Sequence, residues 1–201
     1  MASFIVFEGL DGSGKSTQAR GLLRRLRRRA YAALLTHEPG GTPLGESLRR
    51  WLKRSPDLSP MAELALFIAA RTQLVKEVVQ PALESGVTVV ADRYAASTVA
   101  YQGHGRELDL RLVYQLNQAA TGGLAPTLTV LLDLPAEVAL ARKGGTGADT
   151  FEAAPLEFHR RVREAYLSQA AQDPARWLVL DASQARLELS RQIWGRVRPL
   201  L

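Results

Sequence analysis

The stretch Gly9-Leu10-Asp11-Gly12-Ser13-Gly14-Lys15-Ser16-Thr17 has the residue types and spacing of a phosphate cradle, Gly-x-x-x-x-Gly-Lys-Ser. Glycines admit backbone turns that a β-carbon forbids, so several N–H groups can face one anion. In this pattern the N–H groups from Gly12 to Thr17 would hold phosphate oxygens, Lys15 would reach the β- and γ-phosphates, and Ser16 would ligate Mg²⁺. Asp11 is out of place there, because a carboxylate opposes anion binding unless it has another partner. A hydroxyl of a second substrate is one candidate, and a turn in which Asp11 bonds its own backbone is the other. Further along, Asp92-Arg93-Tyr94 offers an acid that can hold a metal, directly or through water, beside a guanidinium able to bridge two phosphates. Its plainer reading is a structural ion pair. Glu38-Pro39-Gly40-Gly41, Arg49, Phe67 and Arg71 form a looser set. Phe67 and Arg71 are one helical turn apart and share a face, which suits a nucleobase stacked on the ring and read by the guanidinium. Alone, Phe67 would fit a core position as well.

Chemistry of this kind needs a strand that ends at each group. Five apolar runs meet that need, at residues 3–8, 32–37, 87–91, 127–133 and 177–181. They alternate with helical segments, as in a parallel sheet covered by helices. The runs at 87–91 and 128–132 are nearly all apolar and predict central strands buried on both faces. Every run ends in polar or turn residues, and such sheets bind ligands beyond the carboxyl ends of their strands. Ala19, Leu22, Leu23, Leu26 and Ala30 recur at helical spacing directly after the glycine-rich loop. A long, mostly buried helix is predicted from Ser59 to Glu84, with a kink or early end at Pro81. An amphipathic helix is predicted over 109–120, with Leu112, Val113, Leu116 and Ala120 inward. Residues 143–150 are polar and glycine-rich, as lids often are.

The chain has 201 residues, a length for one domain, 1–201, rather than two. It holds no cysteine, which excludes disulfide staples, cysteine zinc sites and thiol catalysis. No signal-like stretch or bilayer-length apolar run is present, so the expected setting is cytoplasmic, with no membrane partner. The net charge of +6 suits anionic partners, either nucleic acid or phosphorylated small molecules. Arg24, Arg25, Arg27, Arg28 and Arg29 form the densest basic cluster. No aromatic residue interleaves with it, so a solvated helix face is favoured over nucleic-acid binding.

Taken together, Phe7 to Thr17, Glu38-Pro39-Gly40-Gly41-Thr42, Phe67-Ile68-Ala69-Ala70-Arg71, and Asp92-Arg93-Tyr94 leading to Ser97-Thr98 and Ala100-Tyr101-Gln102-Gly103 resemble the bacterial thymidylate kinases. The likeness runs through nearly the whole chain in order. It implies an α/β, three-layer P-loop NTPase-type fold with a five-stranded parallel sheet flanked by helices. It also implies MgATP as donor, dTMP as acceptor, dTDP as product and a homodimer built from helices. Carried over residue by residue, it makes Phe67 the thymine-stacking ring, with Arg71 and Gln102 reading the base. Arg49 and Arg93 would hold the acceptor phosphate, with Glu38 in the same acceptor site, and Asp11 the deoxyribose 3′-hydroxyl. Tyr101 would exclude a ribose 2′-hydroxyl, and Ser97 and Thr98 would border the base. Arg142 and the turn at Ala182 and Ser183 would flank the adenine of ATP. The likeness fails in the lid, about 143–152. Relatives without a P-loop arginine carry catalytic arginines there, whereas Asp149-Thr150-Phe151-Glu152 has threonine in that place. Such an arginine can contribute about 10³ to 10⁵ in rate. Lys143, Arg93 or Arg160 would have to supply that charge, or the enzyme is slow. A kinase for another nucleotide or a deoxynucleoside is the near alternative. A nucleotide-dependent switch and a DNA-associated ATPase are the distant ones, and the lack of an Asn-Lys-x-Asp guanine-reading signature counts against the first.

Overall fold

The computed structural model describes residues 2–54, 58–143 and 154–201, and for Lys53, Arg54 and Lys143 the backbone alone. Five strands, β1 (Phe4–Glu8), β2 (Ala33–His37), β3 (Thr88–Asp92), β4 (Leu128–Asp133) and β5 (Trp177–Asp181), pair in parallel in the order β2-β3-β1-β4-β5. All five lie within a residue of the runs expected from sequence. The middle strand is β1, and the two runs expected to be central flank it, with Phe4 opposite Val89 and Ile5 opposite Leu128. Every residue of β1 is buried, while the edge strands β2 and β5 are only partly so.

Alternation along β1 sends its side chains to two faces. Ile5 and Phe7 pack with Leu22 and Leu26 of α1 (Lys15–Arg28), Val162 and Tyr166 of α8 (Leu156–Gln172) and Ile193 of α9 (Arg186–Val197). Phe4 and Val6 pack on the other side, against Leu74 and the turns that follow it. Helix, sheet and helix thus form three layers. The remaining helices are α2 (Pro43–Arg54), α3 (Pro60–Leu74), α4 (Gln80–Glu84), α5 (Ala95–Thr98), α6 (Leu110–Thr121) and α7 (Ala136–Lys143).

The predicted 59–84 helix starts as read: the Ser59 hydroxyl accepts from the Ala62 N–H, and Pro60 opens the first turn. It does not stop at Pro81. Between α3 and α4 the chain widens into a π-helical segment, Val75–Val79, in which the Gln80 N–H bonds the Val75 carbonyl. That wider turn precedes the proline, which then falls in the first turn of α4, where a missing N–H costs little. Nor is the helix mostly buried, since Met61, Ala62, Ala65 and Ala69 face outward. A second π segment, Val99–Gly105, carries Tyr101 and Gln102. The Asp109-capped α6 ends at left-handed Gly122, with Val113 and Ala120 buried as expected and Leu112 and Leu116 half-buried.

Candidate active site

The carboxyl ends of β1, β3 and β2 border one cleft of about 310 Å³. Asp11, Lys15 and Ser16 line it from the P-loop, and Ala19 and Arg20 from α1. Opposite them stand Leu35, Thr36, His37 and Glu38 at the end of β2 and Arg49 of α2, with Asp92 and Arg93 after β3. The cleft therefore gathers seven of the predicted residues, namely Asp11, Lys15, Ser16, Glu38, Arg49, Asp92 and Arg93.

The P-loop takes its form from glycines at three positive φ angles, +134° at Gly9, +84° at Gly12 and +92° at Gly14. Gly14 is the left-handed N-cap of α1, so the helix begins with N–H groups turned toward the cleft. Leu10 and Ser13 are buried, and Thr17 is half-buried. The Ser13 hydroxyl has no hydrogen-bond partner in its buried position, a donor left over for a ligand oxygen. Lys15 is buried, and its Nζ donates to the Leu10 carbonyl at 2.7 Å and lies 3.6 Å from Asp11. Burial, then the nearby Arg93, depresses its ammonium to about 8, against the pull of Asp11, Asp92 and Glu8. An arriving phosphate chain would reverse that depression. The Ser16 hydroxyl touches the Asp92 carboxylate. A hydroxyl beside a carboxylate is a hard-oxygen pair of the kind that holds Mg²⁺ with substrate phosphates and water completing the shell. The described residues include no cluster of three or more metal-ligating side chains.

Asp11 has a partner that neither sequence reading foresaw. Arg93 Nη2 donates to its Oδ1 at 2.7 Å. The same nitrogen donates to the Tyr101 hydroxyl at 3.1 Å, and Nη1 donates to the Ser97 and Tyr166 hydroxyls, each at 3.1 Å. The guanidinium also lies 4.9 Å from the centroid of the Tyr101 ring. Arg93 sits at φ +78°, a backbone strain of about 1–3 kcal/mol for a residue with a side chain. Two bonds secure it: the Arg93 N–H to the Phe7 carbonyl and the next amide, Tyr94, to Glu8 Oε1, both 2.9 Å. The second oxygen of Glu8 accepts from the Ser97 hydroxyl at 2.6 Å and the Tyr166 hydroxyl at 2.9 Å. Burial raises the Glu8 carboxyl, opposed by Arg93 and these donors. Burial, and then Glu8, holds the Tyr166 phenol protonated. Glu8 and Tyr166 are site residues that sequence reasoning missed. The signal for Glu8 was present, as a carboxylate closing a fully apolar strand, whereas Tyr166 lies far along the chain and reaches the site only through the packing of α8.

The residues predicted to read a base form a separate buried layer. All five N–H groups of Arg71 are engaged: two with Glu38 Oε2, at 2.8 and 2.5 Å, and the others with Thr98, Asn117 and the Tyr94 carbonyl. Glu38 Oε1 is left without a partner beside the cleft. Burial raises the Glu38 carboxyl and Arg71 opposes the rise. Gln102 donates to Glu63 at 2.8 Å, Tyr101 is buried, and Phe67 is half-buried one turn before Arg71. Arg49 donates to the Pro39 carbonyl at 3.1 Å. Toward the β5 edge of the sheet, Arg142 donates to the Ala182 carbonyl at 3.0 Å, so two of the residues predicted to flank adenine are in contact. The predicted lid falls outside the described residues except for the backbone of Lys143. Arg160 is paired with Glu137 at 2.6 Å and with Glu157 at 3.6 Å.

A parallel sheet in this order, with a glycine loop after its middle strand and an acid-arginine pair after the next, defines a P-loop phosphotransferase-type protein. The comparison with known proteins narrows the class. A family model described as thymidylate kinase matches residues 7–193. Thymidylate kinase of Deinococcus radiodurans is 49% identical over 196 residues, covering 96% of this chain and 95% of that protein. The thymidylate kinase of Dehalococcoides mccartyi is 48% identical over 203 residues, covering 100% of this chain and 98% of its own. The crystal structure of thymidylate kinase from Ehrlichia chaffeensis superposes with a TM-score of 0.79 at 33% identity, covering 96% of this chain and 98% of that one. The chain belongs to the thymidylate kinase family.

Proposed function

We propose that this protein transfers the γ-phosphoryl group of ATP to the phosphate of dTMP, giving dTDP and ADP, with residues 1–201 acting as one kinase unit. The observation that carries this reading is the single cleft in which the P-loop faces Glu38 and Arg49 across Asp92 and Arg93. In the reaction an oxygen of the acceptor phosphate attacks the γ-phosphorus in line, and the bridging P–O bond to ADP breaks without a covalent enzyme intermediate. Lys15 leaves the Leu10 carbonyl for the β- and γ-phosphates and neutralises charge as it moves toward the leaving oxygen. The N–H groups at the start of α1 hold the donor oxygens, with the spare Ser13 hydroxyl beside them. Arg93 keeps its place through Ser97 and Tyr166 and exchanges an Asp11 or Tyr101 contact for the acceptor phosphate. Asp11, once released, can accept from a sugar hydroxyl. When bound, Mg²⁺ would supply Lewis-acid stabilisation of the phosphates, with Ser16 and Asp92 holding it directly or through water.

On the acceptor side, Phe67 would stack the thymine, and Arg71 and Gln102 would read its edge, with Ser97 and Thr98 alongside and Tyr101 against a ribose. An Arg71 N–H reaches a base carbonyl only by leaving one of its present partners. The order of Arg71 within Glu38, Thr98 and Asn117 supports a pocket held in place before substrate arrives. Arg142 and Ala182 would flank adenine. No helix among the described residues is long and apolar enough to cross a membrane, and we place the protein in the cytoplasm without a nucleic-acid partner. It would act as a homodimer: Leu44 and Trp51 of α2, Met61 of α3 and Tyr114 of α6 are large exposed apolar side chains on helices that pack in series.

A coupled assay with ATP, Mg²⁺ and a panel of nucleoside monophosphates and nucleosides tests the reaction. The expected order is dTMP first and dUMP weaker, since one methyl in a pocket is worth only about 1–3 kcal/mol. Preference for thymidine over dTMP would sink the reading.

A further inference from the structure

The cleft is lined by four cationic side chains, Lys15, Arg20, Arg49 and Arg93, and three carboxylates, Asp11, Glu38 and Asp92. Each carboxylate already has a partner on at least one oxygen, although Glu38 Oε1 has none. Asp11 takes Arg93 and lies near Lys15, Glu38 takes Arg71 from behind the cleft, and Asp92 takes the Ser16 hydroxyl. Arg49 meets only a backbone carbonyl, and Arg20 makes no hydrogen bond or ion pair among the described residues. Arg20 and Arg49 thus line the cleft without an ion pair among the described residues.

Helical geometry fixes where Arg20 stands. It follows Ser16 by four residues, so the two share a face of α1 and their backbones are about 6 Å apart along the axis. Ser16, Ala19 and Arg20 together make the α1 wall of the cleft. Arg20 thus stands one turn beyond the P-loop and lines the same cleft as the end of β2 and Arg49. Further along this helix, Arg25 and, at its C-cap, Arg29 lie over the Trp194 ring at 4.5 and 5.0 Å, and Arg27 bonds the Ala33 carbonyl. Arg20 is exposed and has no partner among the described residues, yet it borders a site that must take up a dianion.

We propose that Arg20 is a specificity-determining ligand for the phosphate group of the acceptor nucleotide, closing on it from α1 while Arg49 closes from α2. The proposal rests on the kinase reading above and adds to it a cation drawn from the P-loop helix itself, in a chain whose lid lacks the expected arginine. An exposed guanidinium that gains a phosphate makes charge-assisted, bidentate bonds that a neutral side chain cannot replace.

Calorimetric titration of the unaltered protein, Arg20→Gln and Arg20→Lys with dTMP, thymidine and ATP tests it. Arg20→Gln should weaken dTMP binding about 10- to 100-fold, the loss of one hydrogen bond between charged groups. Thymidine, which has the same base and sugar without the phosphate, should bind as before, as should ATP, and Arg20→Lys should recover part of the dTMP affinity. Equal losses for thymidine and dTMP, a loss confined to ATP, or no change at all would overturn the inference. Failure of the unaltered protein to bind dTMP would overturn the kinase reading together with it, and that result is visible before any variant is made.

Discussion

Lys15 is the residue whose chemistry is most constrained by its surroundings. Its side chain is 5% exposed and lies among one guanidinium and three carboxylates, and its ammonium is depressed to about 8. The free enzyme therefore loses this charge as pH rises through that value, while bound phosphates favour the charged form and raise it. kcat/KM for ATP, which reports the free enzyme, should fall as pH rises above about 8, and kcat at saturating ATP should fall only at higher pH. A pH profile of both constants checks this, and a kcat/KM that stays level through that range would contradict it. Neighbouring residues show what sequence could and could not reveal. The P-loop, Asp92-Arg93 and Glu38 were legible because each follows a strand and its neighbours in the chain are its neighbours in space. Tyr166 and Asn117 were not, since they reach Arg93 and Arg71 across 73 and 46 residues of chain. The arginine cluster shows the same limit. No aromatic residue interleaves with it in sequence, yet Trp194 of α9 is packed beneath two of its members.

At the scale of elements, the P-loop is shaped as much by β4 and α7 as by its own glycines. A β-carbon on Gly12 would lie 2.4 Å from the Ala139 carbonyl oxygen, whereas one on Gly14 would meet nothing within 4 Å. Both glycines have left-handed backbones, so Gly14→Ala bears the conformational term alone, about 1–2 kcal/mol. Gly12→Ala bears that term and a clash with backbone that cannot move aside. Thermal denaturation should rank Gly12→Ala clearly below Gly14→Ala in stability, and ATP binding should weaken with it; equal stabilities would mean that the loop is not pressed against α7. The strands were readable to within a residue because buried parallel strands are short apolar runs with polar ends. The helix through Pro81 was readable in its start and extent but not in its path. A π segment uses the i→i−5 bond to pass the proline, and no residue pattern in Val75–Val79 announces it. Nor did its apolar composition distinguish a buried helix from one with an outward apolar face, because periodicity cannot tell which neighbour covers a residue.

At the scale of the molecule, that outward face and the cleft are the two surfaces that call for partners. The side chains Trp51, Met61 and Tyr114, on α2, α3 and α6, which pack in series, are between 44% and 50% exposed, and exposed apolar groups on adjoining helices mark an interaction surface. Light scattering on the eluting protein should give a mass of about twice the 22.0 kDa chain, and Ala65→Glu on the same face should shift it to that of one chain; a monomeric unaltered protein would refute the dimer. In the proposed reaction the cleft divides into a donor half at the P-loop and an acceptor half at Glu38, Arg49 and the Arg71 layer, with Arg93 between them. The most direct test of that division is Lys15→Ala, assayed for transfer and titrated with dTMP in the same preparation. Transfer should fall by at least about 10²- to 10³-fold, the scale of losing one positioned charge at the reacting phosphate, while dTMP affinity should stay close to that of the unaltered protein. An equal loss of both would show that donor and acceptor do not occupy separable halves of one cleft.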